Sequence, residues 1–256
     1  MKSKLISFIL IFTLIFTLII QAGAVGSVSS WYIKRNGNRT PTFSKDSKTV
    51  DRCNGYYIDK KAANTGKKIL YLTFDAGYEN GNISNILDTL KKENVPAAFF
   101  ILDNLVLKNT DLVKRMAEEG HTVCNHTKNH RNLTLCSEEQ IAKNLTDLEK
   151  LYEEKTGYKM SKYFRFPEGK YNAETLDIVN KLGYTTVFWS FAYDDWDNER
   201  QPSTDKAMNK ILSNTHDGAV ILLHPTSVTN AEILPELITE WKALGYSFGT
   251  LDELTK

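Results

Sequence analysis

The sequence predicts an α/β protein on a parallel sheet, with six or seven strand–helix units that can lie open or close into a barrel. Three observations predict it. From Lys67 onward, short apolar or β-branched runs alternate with longer segments of helical period. Gly120, Gly157, Gly183 and Gly245 stand where those helices should stop. Polar and ionisable residues gather at the ends of the strands, and right-handed crossovers put every such end on one face.

Taken in order, the chain opens with Lys2 and Lys4, an apolar run from Leu5 to Ile20, and Gln21-Ala22-Gly23-Ala24. A charged start, an apolar middle and an Ala-x-Ala ending read as an export signal over residues 1–25. The run is close to the roughly 20 residues that span a membrane, so cleavage after Ala24 and retention as an anchor both stay open. Either way the remainder is expected to work outside the cytoplasm. Residues 26–66 are polar, broken by Trp31-Tyr32 and Tyr56-Tyr57-Ile58, and read as an arm lying on a core formed elsewhere. Residues 67–256 hold that core. Its strands are expected at Ile69 to Phe74, Ala97 to Leu102, Thr122 to Asn125, Tyr163 to Arg165, Thr185 to Phe191, Ala219 to Leu223 and, more weakly, Tyr246 to Phe248. Helices are expected between them at Ser84 to Glu93, Asp111 to Glu119, Ser137 to Lys155, Ala173 to Leu182, Thr204 to Asn214 and Ala231 to Leu244, and Ser137 with Gln140 is a capping-box signature for the third.

Composition excludes some functions. The formal charge is +1, with basic and acidic residues interspersed, which argues against a nucleic-acid partner. Cys53, Cys124 and Cys136 are too few and too odd in number for a disulfide framework, so structural thiols with at most one bridge are expected.

Chemistry is concentrated at the strand ends. His126 and His130, two of the five histidines, lie four residues apart, within reach of one cation if the segment makes a helical turn. His224 closes an apolar strand and precedes Pro225, a place where an imidazole can act as general acid, and Asp194-Asp195 supply an acidic partner. His121 and His216 read as cap or turn residues.

Leu72-Thr73-Phe74-Asp75-Ala76-Gly77, His126-Thr127-x-x-His130, Arg165-Phe166-Pro167-Glu168-Gly169, Asp195-Trp196 and Leu222-Leu223-His224 resemble, in this order, the five motifs of the NodB-homology polysaccharide deacetylases, carbohydrate esterase family 4. The match runs from about residue 66 to about residue 254. Trp31-Tyr32-x-Lys34-Arg35-Asn36, Gly77-Tyr78-Glu79-Asn80-Gly81 and Val187-Phe188-Trp189-Ser190 are further similar to the PdaA-type subgroup, which forms muramic δ-lactam in spore cortex. The resemblance implies a distorted (β/α) barrel of the seven-unit type and a metal-assisted N-deacetylase of peptidoglycan glycan strands. It implies Asp75 as base, Arg165 holding that carboxylate, His126 and His130 as metal ligands, His224 as acid and Asp195 orienting it. Trp196, Leu222, Tyr78 and Pro167 would face the substrate.

Most of the family carries a third metal ligand, an Asp, where this chain has Ala76, as the subgroup also lacks it. A divalent cation, Zn2+ by expectation, would then rest on two protein ligands. The implied substrate is N-acetylmuramic acid from which an N-acetylmuramoyl amidase has removed the stem peptide, and a monomer is expected. N-acetylglucosamine or chitin-oligomer deacetylation, and glycan binding without turnover, are the alternatives.

Overall fold

The computed structural model describes residues 27–256. The signal or anchor expected at residues 1–25 lies outside the described residues. Among those described, no helix is long and apolar enough to cross a membrane.

The first elements belong to the segment before Lys67. Strands β1 (Ser29–Ser30), β2 (Ile33–Asn36) and β3 (Arg39–Phe43) are followed by α1 (Ser47–Arg52), β4 (Gly55–Tyr56) and α2 (Lys60–Thr65). β2 and β3 form an antiparallel hairpin, β1 pairs with a later strand, and β4 runs parallel to one edge of the main sheet.

The repeating units follow. They are β5 (Ile69–Ala76), α3 (Ile83–Glu93), β6 (Ala97–Ile101), α4 (Asp103–Lys108), α5 (Thr110–Glu118), β7 (Thr122–Asn125), α6 (Glu138–Thr156) and β8 (Tyr163–Phe164). The chain continues through β9 (Lys170–Tyr171), α7 (Ala173–Lys181), β10 (Thr185–Val187), α8 (Thr204–Leu212), β11 (Ala219–Leu223), α9 (Val228–Ala243), β12 (Ser247–Phe248) and α10 (Leu251–Leu254). The helices stop where the glycines predicted, with Gly120, Gly157, Gly183 and Gly245 at φ of 83°, 79°, 83° and 86°. The capping box at Ser137 and Gln140 is formed.

The sheet order is β11-β5-β6-β7-β8-β10-β4, all neighbours parallel, and β12 adds to β5. Beyond β10 the chain stays extended, and Phe191 bridges in parallel to Ile221 while Ile58 bridges to Ala219. Those contacts bring the two ends of the sheet together, which makes it a distorted barrel.

Alternation along β5 assigns the two faces. Leu70, Leu72, Phe74 and Ala76 join the apolar cluster under α3 and α9. Tyr71 points the other way, into an interior shared with Phe100, Cys124, Val187 and Val220. Thr73 and Asp75 follow Tyr71 toward the mouth. All three cysteines are free thiols, so no bridge forms, and burial in the barrel pushes the Cys124 thiol up to about 12.

A candidate active site at the barrel mouth

Arg165 anchors the site from below. It follows β8, has no exposed surface, and spends its donors on Val187 O from Nε at 2.9 Å, Thr73 Oγ1 from Nη2 at 2.9 Å and Asp75 Oδ1 from Nη1 at 2.8 Å. Its guanidinium carbon lies 4.1 Å from the Phe100 ring centroid. A buried cation with each of its three nitrogens hydrogen-bonded is tolerable, whereas one left unpaired would be costly. Burial alone would raise the Asp75 carboxyl, but Arg165 first, and the His126 and His224 imidazoles after it, hold it below the usual carboxylate range. Asp75 is therefore ionised at neutral pH, with Oδ2 free for the cavity.

The two imidazoles of the first pair meet by a different route from the helical turn the spacing suggested. Residues 126–132 are irregular, and Thr127 and His130 both sit at positive φ, 71° and 57°. A β-branched residue in that region is strained and persists only when its surroundings over-determine it. Asn125 Oδ1 accepts from Thr127 N at 2.9 Å, and Asn144 Oδ1 accepts from Lys128 N at 2.9 Å. The result places the His126 and His130 ring centroids 5.0 Å apart.

His126 Nδ1 lies 2.9 Å from Arg165 O, and because a carbonyl only accepts, Nδ1 carries the hydrogen. Nε2 then presents its lone pair 3.6 Å from Asp75 Oδ2. Burial first, partly offset by Asp75, pushes the His126 pKa down to about 4, and burial also lowers His130. A carbonyl on the far nitrogen is how ligating imidazoles are commonly oriented, and it leaves His126 Nε2 available beside the His130 ring. The residues present thus fit a divalent cation held by His126 and His130. Among the described residues no group of three His, Cys, Asp or Glu side chains forms a ready cluster, so water or substrate would complete the sphere. Ala76 is fully buried in the apolar layer and offers no carboxylate.

His224 follows β11. Its Nδ1 donates to Asp195 Oδ1 at 2.8 Å and its backbone N–H to Asp195 Oδ2 at 2.7 Å. Asp195 has no exposed surface and also accepts from Asn230 Nδ2 at 2.6 Å. Burial lowers the His224 pKa, but the Asp195 carboxylate, with Asp75 behind it, outweighs that and raises it. When protonated, the imidazole keeps Nε2–H for the cavity.

A cavity of about 640 Å³ joins these groups, lined among others by Asp75, His130, Leu222, His224 and Trp196. A second of about 230 Å³ shares Asp75, His130 and His224 and adds Tyr78 and His126. Trp196 is 62% exposed, so it walls the mouth and is not part of the core. Pro167 is buried and lies outside the lining of both cavities. Asp194 is exposed at the rim.

The histidines expected at caps or turns are both buried. His216 donates from Nδ1 to Asn214 O and accepts from Ser190 Oγ at 2.9 Å, stitching the extended chain after β10 to β11. His121 has no partner on either ring nitrogen, and burial lowers its pKa to about 4.

The model of the family described as polysaccharide deacetylase matches residues 62–187. The peptidoglycan-N-acetylmuramic acid deacetylase PdaA of Bacillus subtilis is 36% identical over 227 residues, 88% of this chain and 85% of that protein. This chain belongs to the polysaccharide deacetylase family. The solved structure of Bacillus subtilis PdaA, a family 4 carbohydrate esterase, superposes with a TM-score of 0.84 at 36% identity, covering 89% of this chain and 97% of that one. The peptidoglycan-N-acetylglucosamine deacetylase PgdA of Listeria monocytogenes is 36% identical over 192 residues, 75% of this chain but 40% of that protein. A family 4 pseudoenzyme from Bacillus anthracis superposes with a TM-score of 0.68 at 29% identity, covering 74% of this chain and 66% of that one.

The barrel brings Asp75, His126, His130, Arg165, Asp195 and His224, the residues singled out in the sequence, to one mouth. Asn230 was missed. It sits in the first turn of α9, where Ser227 Oγ accepts from its backbone N–H at 3.0 Å. An Asn at such a place reads as ordinary, and no sequence signal shows its amide aimed at Asp195.

Proposed function

We propose that this chain hydrolyses the acetamido group of N-acetylmuramic acid in peptidoglycan from which the stem peptide has been removed, outside the cytoplasm. One observation carries the reading: Asp75, ion-paired to Arg165, and His224, hydrogen-bonded to Asp195, line the same cavity.

The chemistry follows from that pairing. Asp75 Oδ2 takes a proton from water as the oxygen attacks the acetyl carbon. Arg165 keeps the carboxylate pointed and ionised. His224 Nε2–H gives its proton to the amide nitrogen as the C–N bond breaks, so acetate and a free amine leave. Asp195 stabilises the imidazolium beforehand, and Leu222 and Trp196 offer apolar surface to the acetyl methyl group. A divalent cation on His126 and His130, zinc by expectation, would supply Lewis acidity to the carbonyl and acidify water. The freed amine stands beside the lactyl carboxyl of the same sugar, and closure with loss of water gives the δ-lactam.

The likeness to a muramic acid deacetylase over most of both chains supports the finer substrate. The Listeria relative keeps N-acetylglucosamine as the second reading. Glycan binding without turnover is disfavoured because a binder has no use for a base and an acid each held by its own buried partner.

The test is mass spectrometry of muropeptides after residues 26–256 act on amidase-treated peptidoglycan, with and without chelator. Loss of acetyl from muramic acid, then of water, is expected. Loss from glucosamine alone would move the enzyme to the second reading.

A further inference from the structure

One side chain lining the catalytic cavity comes from outside the repeating units. Arg35, on β2, reaches it from the amino-terminal hairpin. The hairpin is pinned nearby, because Trp31 donates its backbone N–H to Gly169 O at 2.8 Å and its indole N–H to Trp189 O at 2.9 Å. Arg35 donates from Nη2 to Ala192 O at 2.6 Å, and its guanidinium carbon lies 5.8 Å from the Phe191 ring centroid. These contacts orient the fork while leaving further N–H donors uncommitted.

The charges around it leave Arg35 unmatched. It pairs with no carboxylate among the described residues, and no other Lys or Arg lines the cavity. Asp75 is taken by Arg165 at 2.8 Å and Glu168 by Lys170 at 2.6 Å. Asp194, which also lines the cavity, is exposed at its rim and forms no ion pair with Arg35. A held guanidinium without a counter-ion, beside a reaction centre, suits a ligand that brings its own carboxylate.

We infer that Arg35 forms a carboxylate-binding subsite that selects amino sugars carrying a free acid on the substituent next to the acetamido group. The inference rests on the deacetylase reading and adds to it the group that separates acidic from neutral sugars. In muramic acid the lactyl carboxyl is close enough to the C2 nitrogen to close a ring with it, so its binder must share a cavity with Asp75 and His224. A stem peptide would convert that carboxylate to a neutral amide, so the same arginine accounts for a requirement that the peptide be removed first.

The test is steady-state acetate release from two glycans: amidase-trimmed peptidoglycan, and the same material with its lactyl carboxyls capped as methyl amides. Wild type is expected to prefer the free acid. Arg35→Ala should reduce that preference by about tenfold, chiefly through KM, and Arg35→Lys, which keeps the charge without the fork, should fall between. Added salt should erode the preference of wild type and not that of Arg35→Ala. A preference unchanged by Arg35→Ala, in a variant that melts like wild type, overturns the subsite. Wild type that releases acetate equally from both glycans also overturns it and leaves the deacetylase reading standing, whereas wild type that releases acetate from neither removes both.

Discussion

Asp195 lines neither cavity, and in the proposed chemistry it acts only through His224. Its carboxylate is fully buried yet accepts from His224 Nδ1, His224 N and Asn230 Nδ2 at 2.8, 2.7 and 2.6 Å. Because Asp195 raises the His224 pKa, the imidazole stays a competent acid until pH rises through that raised value. Asp195→Asn keeps the shape and removes the charge. The alkaline limb of the kcat/KM profile is then expected to move to lower pH, with kcat down by about 10²-fold or more. An alkaline limb that stays in place would mean that Asp195 does not tune the acid. At this scale the sequence was most legible, since Asp75, Arg165 and His224 each end a strand. Asn230 was not legible, because its role depends on a helix start that folding brings against Asp195.

Among the elements, the segment before Lys67 was the hardest to read. Its strands have two to five residues, too short for periodicity to register, and β4 joins the main sheet through Gly55 and Tyr56 alone. Aromatic contact adds to the strand pairing and the Trp31 hydrogen bonds that hold the segment. Trp31 stacks on Phe188 at 4.7 Å and covers Gly169, whose added Cβ would meet Trp189 at 2.9 Å and Trp31 at 3.1 Å at a φ of +62°. Two of the three sequence details that resemble the lactam-forming subgroup thus meet in one contact surface, since Trp31, Phe188 and Trp189 touch. Gly169→Ala is expected to cost about 1–3 kcal/mol from backbone strain and crowding. It should also expose the hairpin to limited proteolysis before the barrel. Equal cleavage of wild type and variant would show that Gly169 does not seat the hairpin. The turn from Asn125 to His130 teaches a related lesson. Spacing correctly paired the two histidines, but the pairing comes from two strained residues and not from a helix.

For the whole molecule, parallel order and crossover hand turned a linear list of strand ends into one mouth, which is why fold and site were read together. A barrel was already implied by the resemblance, and the expected strand Thr185 to Phe191 spans the closing contact; the regular strand stops at Val187, and Phe191 reaches Ile221 through an isolated bridge. The central claim is that Asp75, poised by Arg165, is the base of an amide hydrolysis in this cavity. The most direct test is acetate release from amidase-trimmed peptidoglycan by wild type and by Asp75→Asn, with both melting curves recorded. The account predicts release by wild type and a loss of at least about 10²-fold in Asp75→Asn at comparable melting temperature. A near-normal rate in Asp75→Asn, or no acetate from wild type, would contradict it.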